Sequence, residues 1–186
     1  MAVSLRSIAN NGRVGIGTQS PTDTLDVVGG VNVRGTVGVG SDLVVTGDVL
    51  LQSADCAEDF EADDPELVER GTVMVVGSPA HLRASSCAYD TRMAGVVSGA
   101  RDLRPAIRLN HQGDAESNRV PIALLGRVMC KVEADSALVT IGDLLTTSDT
   151  PGHAAGDRNR AFGAIFGKAM AAVARGSLIP VLVALQ

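Results

Sequence analysis

A six-residue repeat that begins at Leu25 constrains the fold of this chain more than any other feature of its sequence. Five successive hexads read LDVVGG, VNVRGT, VGVGSD, LVVTGD and VLLQSA. The first and third positions are always apolar, and the fifth is always Gly or Ser. Two alternating apolar residues place two side chains on one face of a short strand, and a small residue then allows the chain to bend. A period of six therefore predicts a β-helical rod.

The apolar stripe of this rod consists of the first and third residues of each hexad. Its members are Leu25, Val27, Val31, Val33, Val37, Val39, Leu43, Val45, Val49 and Leu51. A single-chain β-helix needs roughly three hexads per coil and several stacked coils, so five hexads cannot cover their own stripe. Three copies wound around one axis would cover it, and we expect residues 25–53 to form a trimeric β-stem. A single-chain hexapeptide solenoid and an antiparallel meander with turns six residues apart remain alternatives.

The composition favours strands in the rest of the chain as well. The 186 residues are 45% hydrophobic and 2% aromatic, and they include 21 glycines. The enrichment in β-branched residues, together with these glycines, is typical of strands and tight turns. The net charge of −5 argues against nucleic acid as a partner, because binding to phosphates needs a basic excess.

We divide the chain into an attachment and lead-in segment (1–24), the stem (25–53) and an all-β head (54–186). The fold class predicted is thus all-β, a short trimeric β-helical stem followed by a compact β-rich head. Strands are expected at 72–76, 93–98, 105–109, 120–132 with a bend at Gly126, 138–147 and 178–185. Residues 161–173 are alanine-rich, but Gly163 and Gly167 favour a strand over a helix there.

Charged residues cluster in two places of the head. Eight acidic residues lie between Asp55 and Glu69, without the spacing of a calcium loop, and predict a solvated acidic collar. Within it, Asp64-Pro65-Glu66 predicts a turn or a one-turn helix with an acidic cap. The basic cluster of Arg101, Arg104 and Arg108 predicts a solvated strand face.

The cysteines and histidines give little support for a catalytic or metal site. Cys130 alternates with valines and is expected to be buried, whereas a Cys56–Cys87 bridge is a minor alternative. The three histidines lack ligand spacing, and we expect no catalytic residue, no metal and no cofactor. A nucleophile–base pair of Cys87 or Ser98 with a histidine is a weak alternative.

Residues 12–21, GRVGIGTQSP, followed by LDV at 25–27, resemble the VGIGT-x-SP…LDV signature of phage tail-fibre stems. Such stems precede carboxy-terminal trimerising domains. Residues 53–60, SADCAEDF, resemble the start of the peptidase G2-like domain of phage tail appendages, an intramolecular chaperone of trimeric fibres. Residues 141–148, 151–154, 167–169 and 180–186 are similar to the end of that domain.

The resemblance implies a homotrimeric fibre, spike or tip of a phage or phage-derived contractile injection particle, used to attach to a target surface. Other tail or baseplate proteins would bind the amino terminus, and a host surface receptor would contact head loops such as 77–92, 110–119 and 149–160. The first alternative is a trimerisation or intramolecular chaperone domain of a tail fibre, and a third interpretation is an autoproteolytic enzyme. We expect no self-cleavage, because the junction Leu51–Asp55 contains no Asp-Ser or Asn-Ser bond.

The amino terminus has no sustained apolar core, and no stretch approaches the length of a membrane span. We therefore expect synthesis in the cytoplasm, no membrane insertion, and later incorporation into a virion or an extracellular phage-like particle.

Overall fold

The computed structural model describes residues 6–8, 12–112, 118–133, 139–157, 162–173 and 177–184. The chain divides into two compact units, Met1–Val49 and Leu50–Gln186. Its regular structure in these ranges is β-strand with one 3-10 turn at Pro65–Leu67, which confirms the all-β class. The strands are β1 Arg6–Ile8, β2 Val14–Ile16, β3 Leu25–Val27, β4 Asp55–Glu61, β5 Val73–Val76, β6 Leu82–Ala84, β7 Met93–Val97, β8 Pro105–Leu109, β9 Arg119–Val132, β10 Leu144–Thr147, β11 Ala154–Gly156, β12 Gly167–Ala169 and β13 Ser177–Ala184. No helix in the described ranges has the length and hydropathy to span a membrane.

The first unit contains a three-stranded sheet built from the VGIGT signature. β2 lies in the centre, antiparallel to β1 and parallel to β3, with Val14 opposite Leu25. Gly17 has φ +77°, and a Cβ atom there would lie 2.4 Å from the carbonyl oxygen of Val28. A Cβ at Gly15 would lie 2.5 Å from the carbonyl oxygen of Thr18. Gly17 therefore permits the close approach of the lead-in to the first hexad, and Gly15 permits the tight approach of Thr18 within the lead-in itself.

From Val28 to Ala54 the structure has no strand. The six-residue repeat is present in the sequence, but the β-helical stem predicted for residues 25–53 is not seen in a single chain. The trimeric stem therefore remains a prediction.

The second unit contains a closed ring of five strands. The ring runs β9, β11, β10, β12 and β13 and returns to β9. All its pairings are antiparallel except that of β11 with β9, which joins Ala154 to Val132. Closure removes the free edges that an open sheet of these short strands would expose.

The long strand β9 extends beyond the ring and carries two further groups of strands. β4 pairs antiparallel with β9, and β8 pairs parallel with β4. β7 pairs with the other edge of β9, and β5 and β6 follow it. Gly126, the predicted bend, has φ +109°, and a Cβ there would lie 2.5 Å from the carbonyl oxygen of Ala54. Only glycine fits where β4 approaches β9 this closely.

Two apolar clusters form the core of the head. The larger lies inside the ring, where Phe166 and Leu145 are fully buried against Val128, Val181 and other small residues. The smaller joins Met74, Leu82, Val97 and Ile122 between β5, β6, β7 and β9. Cys130 is fully buried in the larger cluster, as predicted, and burial raises the pKa of its thiol.

The strands predicted at 72–76, 93–98, 105–109, 120–132 and 178–185 are confirmed within a residue or two, residue 185 lying outside the described ranges. The strand predicted at 138–147 is present only from Leu144, so the first part of that prediction is wrong. Residue 138 lies outside the described ranges. Before Leu144, Asp143 accepts a hydrogen bond from the backbone N–H of Thr140 at 2.8 Å, and Gly142 has φ +90°. This turn delays the strand to Leu144.

In the segment 161–173, whose first residue is not described, only Gly167–Ala169 forms a strand, and no helix is present from residue 162 onward. A Cβ at Gly167 would lie 2.4 Å from the carbonyl oxygen of Leu182 on β13. The glycine thus permits close strand pairing at this position.

Candidate functional site

The apolar stripe of the hexads is exposed to solvent in the single chain. Nine of its ten residues, all except the half-buried Val27, are 46% to 74% exposed. Third-position residues such as Val33 and Val39 are regularly less exposed than first-position residues such as Val31 and Val37. Burying a side chain of this size normally contributes about 1.5–3 kcal/mol to stability. In the single chain the exposed stripe does not make this contribution.

Several glycines of the hexads have no steric reason within the single chain, unlike Gly29, whose φ is +139°. A Cβ added at Gly35 or Gly47 would meet nothing within 4 Å, and neither glycine has a positive φ. The same open space surrounds Gly38 and Gly40. The single chain therefore gives no steric reason for a small residue at these four positions.

A second apolar surface lies on the head, where four strands place side chains in one row. Cys56 on β4 is opposite Ile107 on β8 and Leu125 on β9, and Leu125 is opposite Ala184 on β13. Ile107 is 45% and Leu125 is 61% exposed. We call this row, together with the exposed Leu182 two residues along β13, the outer apolar face.

The acidic segment is not a uniformly solvated collar, contrary to prediction. β4 alternates buried and half-buried residues, so Asp55 and Asp59 point inward on either side of the fully buried Ala57. They are 3% and 2% exposed. The two-residue period of the strand buries these carboxylates because it brings Ala57 into the core. The turn at Pro65–Leu67 is confirmed, but Asp64 makes no side-chain cap.

Among the described residues, Asp59 has two side-chain partners, Arg108 on β8 and His111 just after that strand. Arg108 donates to it from Nε at 3.2 Å and from Nη2 at 2.7 Å, and His111 Nδ1 lies 2.8 Å from the same carboxylate. A paired guanidinium provides the compensation that a buried carboxylate needs. All three arginines of the basic cluster are exposed, as predicted, although only Arg108 lies on a strand, where it also pairs with the buried Asp59.

Asp55 has no comparable partner. Neither of its carboxylate oxygens makes a hydrogen bond, and the buried Ser98 hydroxyl also has none. Burial raises the pKa of Asp55. The nearby Ser98 hydroxyl lowers it by a smaller amount, although the contact between Ser98 and Asp55 falls outside hydrogen-bond geometry.

An open cavity of about 330 Å³ lies on this side of the head. The cavity is lined by residues that come just after β7, by residues of β8 and by the start of β9. The lining residues are Arg70, Ser98, Gly99, Arg104, Pro105, Arg108 and Pro121. Three guanidinium groups thus surround it, and none of the lining residues is acidic. We call it the arginine cavity.

The arginines of this cavity differ in how firmly they are held. Arg70 donates from Nη1 to the carbonyl oxygen of Gly99 at 2.8 Å, and Arg108 is held by Asp59. The Arg104 guanidinium makes no hydrogen bond or ion pair with any residue that the structure describes. The sequence indicated the cluster around Arg104, but it gave no sign that the distant Arg70 and Ser98 complete the cavity.

The remaining polar residues considered in the sequence lie apart from this cavity. His81 contacts Glu61 at 2.9 Å and Asp63 at 3.3 Å, and His153 Nδ1 lies 2.8 Å from the carbonyl oxygen of Pro151. Cys87 Sγ lies 3.5 Å from a carboxylate oxygen of Asp90.

All three cysteines are free, so the alternative of a Cys56–Cys87 bridge is wrong. Across the described ranges, no group of three or more His, Cys, Asp and Glu side chains is placed to hold a metal ion.

The expected receptor loops are only partly described. Loop 77–92 contains the short strand β6, and residues 113–117 and 158–160 of the other two loops lie outside the described ranges. Their role in receptor contact remains a prediction.

No protein-family model matches this sequence, and no curated protein is similar to it. Among solved structures, the chain is similar to the bacteriophage phi29 gene product 12 C-terminal fragment, with a TM-score of 0.46 and 13% identity over 71% of this chain and 100% of the fragment. It is also similar to the pre-mature bacteriophage phi29 gene product 12, with a TM-score of 0.49 and 12% identity over 83% of this chain and 24% of that chain. Neither is named as a peptidase G2 domain, and that part of the resemblance remains a prediction.

Proposed function

We propose that this protein is a structural subunit of a homotrimeric fibre, spike or tip in a phage or phage-derived injection particle. Residues 25–53 of three copies form an intertwined β-stem, and residues 54–186 form the head. The proposed role is attachment to a target surface and not catalysis.

The exposed hexad stripe is the observation that carries this proposal. Its apolar side chains recur at a fixed period, and in one chain nothing covers them. A long exposed apolar stripe on a natural protein marks an interaction surface. Two further copies of the same chain are the partners that match its period along its whole length, because their stripes repeat in the same register.

The outer apolar face supports contact between the heads as well. Cys56 lies five residues beyond Leu51, the last member of the stripe, and five residues reach at most about 17 Å. If three Leu51 side chains meet at an axis, the outer apolar faces of the three heads begin within about that distance of the axis. A second copy of the head is therefore the occupant that we assign to the outer apolar face.

The assignment to a phage-like particle follows from the stem signature. In this chain the signature has a structural purpose, since Gly17 allows the lead-in to approach the first hexad and Gly15 allows the approach of Thr18 within the lead-in. A chaperone domain that drives trimerisation of a longer fibre is the second candidate function, because the head makes up most of the chain.

The proposal is tested by the mass of the purified protein in solution. Multi-angle light scattering should give about three times the monomer mass of 19.1 kDa. A folded monomer would contradict the stem assignment. Denatured mass spectrometry of the same sample should give one intact chain, whereas two fragments would indicate self-cleavage.

The two candidate functions are separated by the composition of purified particles. A fibre or spike subunit should be present in them as the whole chain. If it is absent from assembled particles but needed for their fibres to fold, the chaperone function is correct.

A further inference from the structure

The arginine cavity has the features of a built anion site, and its chemistry is independent of the proposed trimer. Arg70 and Arg108 are fixed by hydrogen bonds to Gly99 and Asp59, so their guanidinium groups are oriented before any ligand arrives. Held donors lose less conformational entropy on binding than free ones. The free Arg104 guanidinium adds a third set of donors at the same opening.

The charge of the cavity differs in sign from that of the protein. The whole chain carries a net charge of −5, but the lining has three arginines and no acidic side chain. Asp59, which lies behind the lining, is already paired with Arg108 and His111. Positive charge on Arg70 and Arg104 therefore remains available to a ligand.

A buried hydroxyl forms part of the cavity wall, beside the buried Asp55 carboxylate. Ser98 is fully buried and lines the cavity, and its Oγ has no hydrogen-bond partner. Buried polar groups are normally hydrogen-bonded, and the acceptor near Ser98 is the Asp55 carboxylate, which lies outside hydrogen-bond geometry. Oxygen atoms of a ligand anion would accept from it.

The size and walls of the cavity narrow the class of ligand. A volume of about 330 Å³ is larger than a bare oxyanion needs and lies at the small end of ligand pockets. Pro105 and Pro121 form apolar walls, and no aromatic ring is present to stack on a nucleobase. Several guanidinium groups at one opening favour a multiply charged group over a single carboxylate.

We propose that the arginine cavity binds the phosphate group of a small phosphorylated molecule, such as a sugar phosphate. Arg70, Arg104 and Arg108 bind the phosphate oxygens, and Ser98 donates a hydrogen bond to the same group. The carbon skeleton of the ligand packs against Pro105 and Pro121.

Isothermal titration calorimetry of the full-length protein tests this site with three probes. Glucose 1-phosphate is compared with inorganic phosphate and with glucose, all at the same ionic strength adjusted with chloride. Saturable binding of either phosphate, without binding of glucose, is expected. Tighter binding of glucose 1-phosphate indicates a phosphate ester as ligand, and equal binding indicates free phosphate. Heats no different from those of chloride would overturn the proposal.

Two arginine variants locate the binding. Arg104→Gln should weaken phosphate binding at least about tenfold, because it removes charge-assisted hydrogen bonds. Arg101→Gln is the matched control, since Arg101 is exposed in the same stretch and does not line the cavity. Equal weakening by both variants would reveal general charge attraction and overturn the site.

Ser98→Ala provides a test that leaves every guanidinium in place. It should weaken phosphate binding by about threefold to tenfold, the range for one hydrogen bond to a charged group. Circular dichroism and the melting temperature establish that the variant is folded. Unchanged affinity in both folded Ser98→Ala and Arg104→Gln would refute the proposal.

Discussion

At the scale of single residues, the head depends on carboxylates whose surroundings differ sharply. Asp59 and Asp90 are buried beside arginines, whereas Asp55 is buried without a hydrogen bond. Removing one member of a buried, well-paired charge pair destabilises the fold. A buried charge that has no partner itself lowers the stability of the fold. The three residues should therefore respond in different ways to neutralisation.

Asp90→Asn should destabilise the protein at neutral pH. Hydrogen bonds from Arg92, at 2.7 and 2.9 Å, lower the pKa of Asp90 from 3.8 to about 2. Because Arg92 is half exposed, we expect a loss of about 1–2 kcal/mol in the free energy of unfolding. A lowered pKa means that this stability is present above the unfolded value of 3.8 and is lost as pH falls through about 2.

Urea unfolding at constant protein concentration measures this effect. The difference between Asp90→Asn and the wild type should shrink from about pH 4 to about pH 2. Asp102→Asn, at an exposed carboxylate, is the control and should change little. A difference of the same size at neutral and at low pH would contradict the role of the ion pair.

Asp55→Asn should have the opposite effect and stabilise the protein at neutral pH. Burial raises the pKa of Asp55, so the folded state holds a proton that the unfolded state releases. Stability is then lost as pH rises from about 3.8 towards the raised pKa of the folded state. A neutral amide avoids that loss, and we expect a gain of about 1–3 kcal/mol near neutral pH.

The free energy of unfolding at several pH values measures this gain. It should be largest near neutral pH and vanish near pH 3, where both states of the wild type are protonated. A variant less stable than the wild type at neutral pH would indicate that the Asp55 carboxylate has a stabilising partner.

At the scale of elements, the hexad segment and the strands of the head represent two different uses of β-structure. In the head, short strands are paired side by side and bury their faces in one chain. In the hexads, the apolar positions are as regular as in any strand, but one chain gives them no neighbour. Once three chains associate, substitutions at the first and third positions of a hexad should therefore destabilise the trimer more than substitutions at the second position.

Val39→Asp and Val44→Asp distinguish these two kinds of position. Both side chains are exposed in the single chain, 49% for Val39 and 83% for Val44, so neither change should harm a monomer. In the proposed stem, three Val39 side chains face the axis, and three carboxylates there would cost several kcal/mol, on the order of 3–5 per trimer. Light scattering should show a loss of the trimer for Val39→Asp alone. Equal trimer mass for both variants would show that the stripe is not at the axis.

At the scale of the whole molecule, the repeat creates a problem of register. Identical hexads superpose when one chain slips by six residues, so the stem alone specifies its alignment weakly. A head without a repeat removes this degeneracy, because it fixes all three chains at one end. The head should therefore trimerise independently, and the stem should depend on it.

Two fragments test this dependence. Residues 54–186 should form a trimer in sedimentation, whereas residues 1–53 alone should remain unstructured by circular dichroism or should aggregate. Leu125→Arg in the head fragment should prevent its association, because Leu125 lies in the centre of the outer apolar face. Val76→Arg is the control, at an apolar residue of β5 that is 44% exposed and outside that face. A stable stem trimer without the head would contradict the registering role.

Much of the fold was predictable because it is encoded locally. The enrichment in β-branched residues and glycine and the pattern of short apolar runs predicted an all-β chain and most strands of the head. Gly126 was identified as a bend from its place in a long apolar run, and its positive φ agrees. Local patterns of this kind depend on neighbours a few residues away, and the sequence displays them directly.

The arginine cavity and the buried carboxylates depended on the tertiary structure. The sequence predicted a solvated acidic segment, and yet Asp55 and Asp59 are buried because β4 pairs between β8 and β9. Arg108 reaches Asp59 across 49 positions of sequence, and Arg70 reaches Gly99 across 29. Whether a charged side chain in a strand faces water or the core depends on which strands pair beside it. That pairing joins residues far apart in the sequence, and no local period in the sequence reveals it.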